Sequence, residues 1–382
     1  MRGPAPVKLQ GIGRVLLIRL RRIGDLVSVT PCTRAIKETF PQARLSVLVE
    51  KAGQGVLLGN PYVDELIVLD DEGLKRAGPL GKIRREIAFL LSLRRKAFDL
   101  VINLHGGPRS AVQTLLSGAR HRLGGFARSH RWNWVYTIRP RHLHEVLGEG
   151  AGTSTVVERH LATLEAAGIH TSDSSLVMRG TGEAEASLDR LLRQKGVGAG
   201  ERLVTINPAA RNWQARWREE RFAELADWLI QEFDVTILLV SGPQEADICR
   251  RVREKMRRPA VDLAGLTSLQ ELAVLLGRSA LFVGLDGGPV HIAAAMRTPL
   301  IALYGPTTNA WRPWSDRALV VRGPVPCLGC RPACPSNPSR CMDGIEVGHV
   351  IEAVRKLDWW GGTGAALAGR AGPHPDQRGG VA

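Results

Sequence analysis

Residues 15–18, VLLI, and the following RLRRIGD at 19–25 decide the fold expected of this chain. An uninterrupted aliphatic run is typical of a strand buried on both faces of a parallel sheet, and it predicts a strand over 15–20. Gly24 permits a tight turn after that strand, and the next segment, 31–40, is predicted to be a helix. Strand, loop and helix in this order make the repeating unit of parallel α/β sheets.

The same alternation continues along the chain in two series. The first is predicted to include strands at 45–49, 64–69 and 99–104 and helices at 81–96, 109–116 and 158–167. The second begins with a strand at 203–206 and continues to a strand at 300–304. We therefore expect an α/β protein with two Rossmann-like domains, 1–185 and 200–345, that face each other across a cleft. Residues 361–382 are rich in Gly, Ala and Pro without periodicity and are predicted to be a disordered tail.

Length and charge restrict the function without choosing it. The 382 residues suit two domains of roughly 150 residues or more. Lys and Arg total 52 against 37 acidic residues, a net charge of +15, which suits nucleic acid, an anionic membrane or a phosphorylated ligand. Aromatic residues do not interleave with the basic run and no recognition-helix motif is present, so nucleic acid is disfavoured as a partner.

The chain shows no sequence signal for crossing or leaving a membrane. No apolar run approaches the roughly 18 residues of a membrane span. Residues 1–10 do not have the pattern of a signal peptide, and the apolar run at 15–18 is too short for one. A cytoplasmic location is therefore expected.

Loops at the carboxyl ends of the strands are the expected ligand sites of such sheets. Asp25 lies in the first of them, where two interpretations are open. It is either an N-cap that accepts a hydrogen bond from the following helix, or a carboxylate that points into the cleft as a general base.

A second loop, GLDGGPVH at 284–291, connects a predicted strand to a predicted helix. Gly287 and Gly288 allow close approach of backbone amides to a ligand, and Pro289 suits the first helical position. Free amides and the helix dipole then favour an anion such as phosphate. His291 could donate to that anion or lie on the helix surface. The loop lacks the spacing of dinucleotide-binding and Walker A motifs.

A third loop follows the predicted strand at 203–206. It carries Arg211 and Arg216, whose guanidinium groups suit phosphate oxygens. The alternative is that both are ordinary solvated charges.

At these loops the sequence resembles the ADP-heptose:lipopolysaccharide heptosyltransferases, glycosyltransferase family 9. The resemblance is carried by residues 19–37, by DGGPVHIAAA at 286–295 with TP at 298–299 and YGPT at 304–307, and by four cysteines between 327 and 341. It implies the GT-B fold, with a C-terminal helix in 346–360 that packs back on the first domain. It implies inverting transfer of heptose from ADP-heptose to a sugar hydroxyl of the lipopolysaccharide inner core. A different donor or acceptor, as in O-antigen or capsule assembly, is the alternative within the same fold.

The resemblance also implies a role for each site residue. Asp25 would be the catalytic base. Asp286, the amides of Gly287 and Gly288, and His291 would bind the donor, with the amides stabilising the departing diphosphate without a metal cofactor. Glu245 would accept the ribose hydroxyls.

Two departures from the family pattern concern the donor phosphate. The family often has a lysine where this chain has Ala215, so Arg216 or Arg211 is expected to replace it. The residue after Asp286 is often Ser or Thr, and here it is Gly287.

Two features outside the loops carry further predictions. Cys327, Cys330, Cys334 and Cys341 lie within 15 residues and either bind a structural zinc ion or remain thiols. Residues 75–96 contain eight basic residues and one acidic residue. This segment is either a solvated helix or a contact, through Arg84 and Arg85, with the phosphorylated acceptor (lipid A-Kdo or heptosylated core) at the anionic inner face of the inner membrane.

Overall fold

The computed structural model describes residues 9–70, 73, 78–125, 130–140, 154–305, 308–324 and 340–360. In this part of the chain the first domain has a parallel sheet with the strand order β3-β2-β1-β4-β5. Its strands are β1 (Arg14–Ile18), β2 (Arg44–Glu50), β3 (Glu65–Leu69), β4 (Leu100–Asn103) and β5 (His121–Leu123). Its helices are α1 (Ile23–Ser28), α2 (Thr30–Thr39), α3 (Pro79–Arg95), α4 (Pro108–Leu116) and α5 (Val156–Glu165).

The second domain repeats this plan with one more strand. Its parallel sheet has the order β11-β10-β9-β6-β7-β8, which is the doubly wound Rossmann order with β6 as the first strand. The strands are β6 (Leu203–Asn207), β7 (Thr236–Leu239), β8 (Val261–Asp262), β9 (Leu281–Leu285), β10 (Leu300–Tyr304) and β11 (Ala318–Arg322). The helices are α6 (Gly182–Gln194), α7 (Glu219–Phe233), α8 (Ala246–Lys255), α9 (Leu269–Arg278), α10 (Gly288–Ala295), α11 (Arg340–Asp343) and α12 (Val347–Lys356).

The run at 15–18 lies in the centre of the first sheet, as its composition predicts. Residues 15–18 are 0% exposed, because helices cover both faces of β1. Val15 and Leu17 pack into the cluster that includes Leu26, while Leu16 and Ile18 pack on the other face. Each such side chain contributes about 1.5–3 kcal/mol when it is fully buried.

The domain boundary lies within a few residues of position 181. The predicted first domain ended at residue 185, but this position is inside α6, which packs against α9 of the second domain. Gln270 of α9 connects the domains, since its amide nitrogen donates to the carbonyl of Gly55 at 2.6 Å and its oxygen accepts from the amide of Thr181 at 2.9 Å.

The last described helix corrects a prediction. We expected residues 346–360 to pack back on the first domain, but α12 packs against α7, β10 and β11 of the second. Its apolar face, with Val350 and Val354 at 0% exposure, is buried in the same cluster as Phe222. That cluster, rather than the first domain, removes the apolar face of α12 from water. The predicted tail, 361–382, is outside the described residues.

None of the helices in the described ranges is long and apolar enough to cross a membrane.

Candidate active site

The carboxyl ends of the two sheets meet where α1 contacts α10. Two glycines allow this approach. A Cβ atom at Gly24 would lie 2.5 Å from Cδ2 of His291, and one at Gly288 would lie 2.8 Å from Cβ of Ile23. Real side chains do not tolerate such distances, so both positions need glycine because of the opposite domain. The two loops selected from the sequence are thus in direct contact.

Asp25 is a buried member of an ion pair. Helix α1 begins at Ile23 with Arg22 as its N-cap residue, and Arg22 makes no side-chain capping bond. The N-cap interpretation of Asp25 is therefore wrong. Its carboxylate Oδ1 lies 2.9 Å from Nη2 of Arg19, and both residues are 8% exposed. A buried carboxylate retained at the end of a sheet, and matched by a single cation, suits proton transfer in a cleft.

Arg19 is a residue of the candidate site that sequence reasoning did not select. Its Nη2 pairs with Asp25, and its Nη1 donates to the carbonyl of Leu104 at the end of β4. It thereby joins the loops after two neighbouring strands. A signal was present in the sequence, since a charged residue directly after a buried aliphatic strand needs a partner.

The charge of Arg19 acts on two further histidines, His105 and His160, and both remain uncharged. Burial, with the charges of Arg19 and Arg21, lowers the pKa of His105 to about 4. Burial and the charges of Arg19 and Arg159 also hold the pKa of His160 well below its usual value. Both imidazoles are neutral at pH 7, so they do not compete with Arg19 for the Asp25 carboxylate. Neither histidine was selected from the sequence.

His291 is buried in the domain interface, so the alternative of a helix-surface histidine is wrong. It is 8% exposed. Burial lowers the pKa of His291, and the charges of Asp286 and Asp25 oppose this shift without reversing it, so the imidazole is neutral at pH 7. A neutral imidazole offers one donor and one acceptor to a ligand.

The loop after β9 starts α10 as predicted. Gly287 is the N-cap residue and Pro289 lies in the first turn. The first amides of α10 therefore open next to Ile23 and Gly24 of the first domain. Because these amides have no partner within the helix, they are available to a diphosphate together with the helix dipole.

Arg322 and Tyr304 stand beside this loop and were also not selected from the sequence. The Tyr304 hydroxyl donates to the carbonyl of Trp311 at 2.9 Å, and the Arg322 guanidinium lies 5.3 Å from the centre of the Tyr304 ring. Burial and the Asp286 charge raise the pKa of Tyr304 well above its usual value. The cation Arg322 at the end of β11 is thus near the carboxylate Asp286 that follows β9.

The structure gives the positions of Arg216, Arg211 and Ala215 but does not test their predicted contact with the donor phosphates. The Nε of Arg216 donates to the carbonyl of Ala210 at 2.8 Å, and Arg211 is exposed. Ala215, at the family's lysine position, is 7% exposed. Replacement of that lysine by Arg216 or Arg211 therefore stays a prediction.

Glu245 ends a short 3-10 helix, Pro243–Glu245, after β7. A Cβ atom at Gly242 would lie 2.8 Å from its Oε2. Gly265, in the loop after β8, packs against Pro243 in the same way, with a Cβ position 3.0 Å from its Cα. The loops after β7 and β8 therefore touch at the carboxyl edge of the sheet, where the nucleoside was expected. The contact of Glu245 with a ribose stays a prediction.

The predicted acceptor residues lie on α3, and of the predicted metal residues only Cys341 is within the described part of the chain. Arg84 and Arg85 are exposed on α3, and Nη1 of Arg85 donates to the carbonyl of Gly73 at 2.9 Å. Cys341 lies in α11. Cys327, Cys330 and Cys334 lie outside the described residues. Structural zinc, and a reaction that needs no metal cofactor, stay predictions.

Known proteins share both the fold and the sequence. The crystal structure of the family 9 glycosyl transferase from Veillonella parvula DSM 2008 matches with a TM-score of 0.79 and 22% identity, over 92% of this chain and 98% of that one. Escherichia coli ADP-heptose lipopolysaccharide heptosyltransferase II matches with a TM-score of 0.72 and 21% identity, over 90% and 98%. These matches, with the two parallel Rossmann-like sheets, show that the chain has the GT-B fold.

The sequence comparisons are more specific. Lipopolysaccharide heptosyltransferase 3 of Escherichia coli K12 is 30% identical over 304 residues, 78% of this chain and 85% of that protein. Lipopolysaccharide heptosyltransferase 2 of the same strain is 28% identical over 330 residues, 81% and 88%. The sequence pattern described as "Glycosyltransferase family 9 (heptosyltransferase)" matches residues 87–338. The chain therefore belongs to glycosyltransferase family 9, which confirms the resemblance.

The contact between Gly24 and His291 makes a first testable prediction. Gly24→Ala is expected to lower the rate of glycosyl transfer about 10–100-fold, because the new methyl group displaces α1 from α10 and misplaces Asp25. Steady-state kinetics measure this rate. Gly348→Ala is the matched control, since a Cβ there meets nothing within 4 Å, and it should keep the wild-type rate. Equal rates for both variants would show that the close approach is not needed for transfer.

Proposed function

We propose that this enzyme transfers heptose, with inversion, from ADP-heptose to a sugar hydroxyl of the lipopolysaccharide inner core. The acceptor is lipid A-Kdo or a heptosylated core. One observation carries the proposal: Asp25, buried and paired with Arg19, directly follows Gly24, whose Cβ position lies 2.5 Å from Cδ2 of His291 in the first turn of α10. A base and an anion site thus face each other across the contact between the domains. The relatives named above support heptose as the sugar.

Asp25 acts as the general base. The ion pair between its Oδ1 and Arg19 sets the direction of the carboxylate, and the second oxygen takes the proton of the acceptor hydroxyl. That hydroxyl attacks the anomeric carbon from the face opposite the departing ADP, so the configuration inverts.

The second domain stabilises the leaving ADP. Negative charge grows on the diphosphate as the glycosidic bond breaks, and the free amides at the start of α10 stabilise it. His291 donates a further hydrogen bond to the diphosphate or to the heptose. Arg216 or Arg211 neutralises the phosphates, and Glu245 holds the ribose.

Acceptor-dependent release of ADP tests this proposal. The protein is incubated with ADP-heptose and either Kdo-lipid A or a heptosylated core, ADP is measured, and the product is weighed by mass spectrometry. We expect ADP release that requires the acceptor and a product heavier by one heptose. UDP-glucose serves as the donor control. Absence of turnover with every acceptor, or equal turnover with UDP-glucose, would contradict the proposed donor.

The proposal includes the place of action. The acceptor is a glycolipid, so the enzyme works as a peripheral protein at the anionic inner face of the inner membrane.

A further inference from the structure

Helix α3 has an apolar face that stays exposed in the part of the chain that the structure describes. Leu93 is 0% exposed and anchors the opposite face of the helix in the first domain. The uncovered face consists of four large aliphatic side chains, which we call the apolar stripe: Leu80, Ile83, Ile87 and Leu91, with exposures of 79%, 57%, 52% and 48%. Steps of three and four residues place them in one row along the helix. Exposed aliphatic residues in a row indicate a surface that is buried against something else.

Basic side chains border the apolar stripe. Arg84 is four residues after Leu80, and Arg94 and Arg95 are three and four residues after Leu91, so all three lie next to the row. All three are exposed. The acidic residue of this helix, Glu86, is directed to Arg109, with Oε2 2.8 Å from its Nη2. The exposed face is therefore apolar and positively charged at once.

We propose that the apolar stripe docks the enzyme on an anionic lipid bilayer. The inference deepens and rests on the proposed function, because a glycolipid acceptor is presented by such a surface. Four aliphatic side chains enter the acyl boundary while the neighbouring arginines remain with the headgroups. Each basic residue close to an anionic surface strengthens binding about fivefold. The charge complementarity selects an anionic membrane over a neutral apolar partner.

The position of α3 makes this docking useful for the reaction. A helix that follows β3 in a parallel sheet begins at the carboxyl edge of the sheet, so Leu80 lies at the same edge as Asp25. Glu86 ties α3 to Arg109 in the first turn of α4. That helix follows the loop in which the Leu104 carbonyl accepts from Arg19, the partner of Asp25. A bilayer on the stripe thus meets the first-domain side of the cleft.

Vesicle co-sedimentation of the full chain tests the inference. Vesicles of phosphatidylcholine alone are compared with vesicles that also contain the anionic lipid phosphatidylglycerol. We expect the wild type to bind the anionic vesicles at least about tenfold better. Ile83→Ser combined with Ile87→Ser should reduce that binding about tenfold or more. Arg94→Glu combined with Arg95→Glu should abolish the preference for anionic vesicles.

Two controls separate docking from folding and from catalysis. Leu116→Ser removes an aliphatic side chain of 40% exposure outside the stripe and should bind vesicles like the wild type. Turnover of a deacylated, water-soluble acceptor should be the same in wild type and in Ile83→Ser/Ile87→Ser. Absence of turnover in both proteins would contradict the proposed function but not the membrane docking. Unchanged vesicle binding by the isoleucine variant would overturn the inference. The inference would also be overturned if light scattering showed a wild-type dimer and an Ile83→Ser/Ile87→Ser monomer, because the stripe would then bind a second copy of the chain.

Discussion

Asp25→Asn is expected to lower kcat for heptose transfer about 10²–10⁴-fold, the usual contribution of a general base. The amide keeps the size of the side chain but cannot take the acceptor proton. The KM for ADP-heptose should change little, because the donor site proposed above consists of loops of the second domain. Steady-state kinetics of acceptor-dependent ADP release measure both quantities.

The matched control for this prediction is Asp64→Asn. Asp64 is also a paired carboxylate of the first domain, 2.9 Å from Nζ of Lys37, but it precedes β3 and so lies at the amino edge of the sheet, away from the cleft. Its variant should keep the wild-type kcat. If Asp25→Asn and Asp64→Asn retained the same activity, Asp25 could not be the base.

Arg19→Met is expected to lower the free energy of unfolding by about 3–5 kcal/mol, because it leaves the Asp25 carboxylate buried without its cation. The variant also removes the hydrogen bond that Arg19 donates to the Leu104 carbonyl. Since that arginine sets the direction of the base, kcat should fall as well. Urea unfolding, followed by circular dichroism, measures the stability term.

A double variant separates the ion pair from simple loss of packing. Arg19→Met combined with Asp25→Asn should regain much of the stability lost in Arg19→Met, since no unpaired charge then remains. Arg218→Met is the surface control, because its pair with Asp343 leaves the Arg218 side chain 60% exposed, and it should unfold close to the wild type. A double variant less stable than Arg19→Met would show that the charge pair is not the cause.

Local patterns predicted most of the fold. The aliphatic run at 15–18 determines a strand buried on both faces wherever it lies, because its side chains have no polar face to present to water. The start of α10 was equally predictable, since two glycines and Pro289 favour that turn and helix start in any context.

Long-range contacts decided what the patterns could not. From its sequence, the apolar face of α12 could pack on either domain. In the structure it packs in the cluster that contains Phe222, which belongs to the second domain. Arg19 has two partners. Asp25 is six residues further along the chain, and Leu104 directly follows β4. Neither contact could be predicted from adjacent positions of the sequence.

By itself, the sequence determined the two α/β halves and their ligand loops, because hydrophobic periodicity and turn residues act over a few neighbouring positions. Its motifs also carried the resemblance to family 9. Only the tertiary structure decided that Asp25 is a paired, buried carboxylate, that Gly24 and Gly288 are required by the opposite domain, and that the apolar stripe of α3 stays uncovered. Burial and charge depend on which distant segments come together. That is a property of the packed chain and not of any short stretch of it.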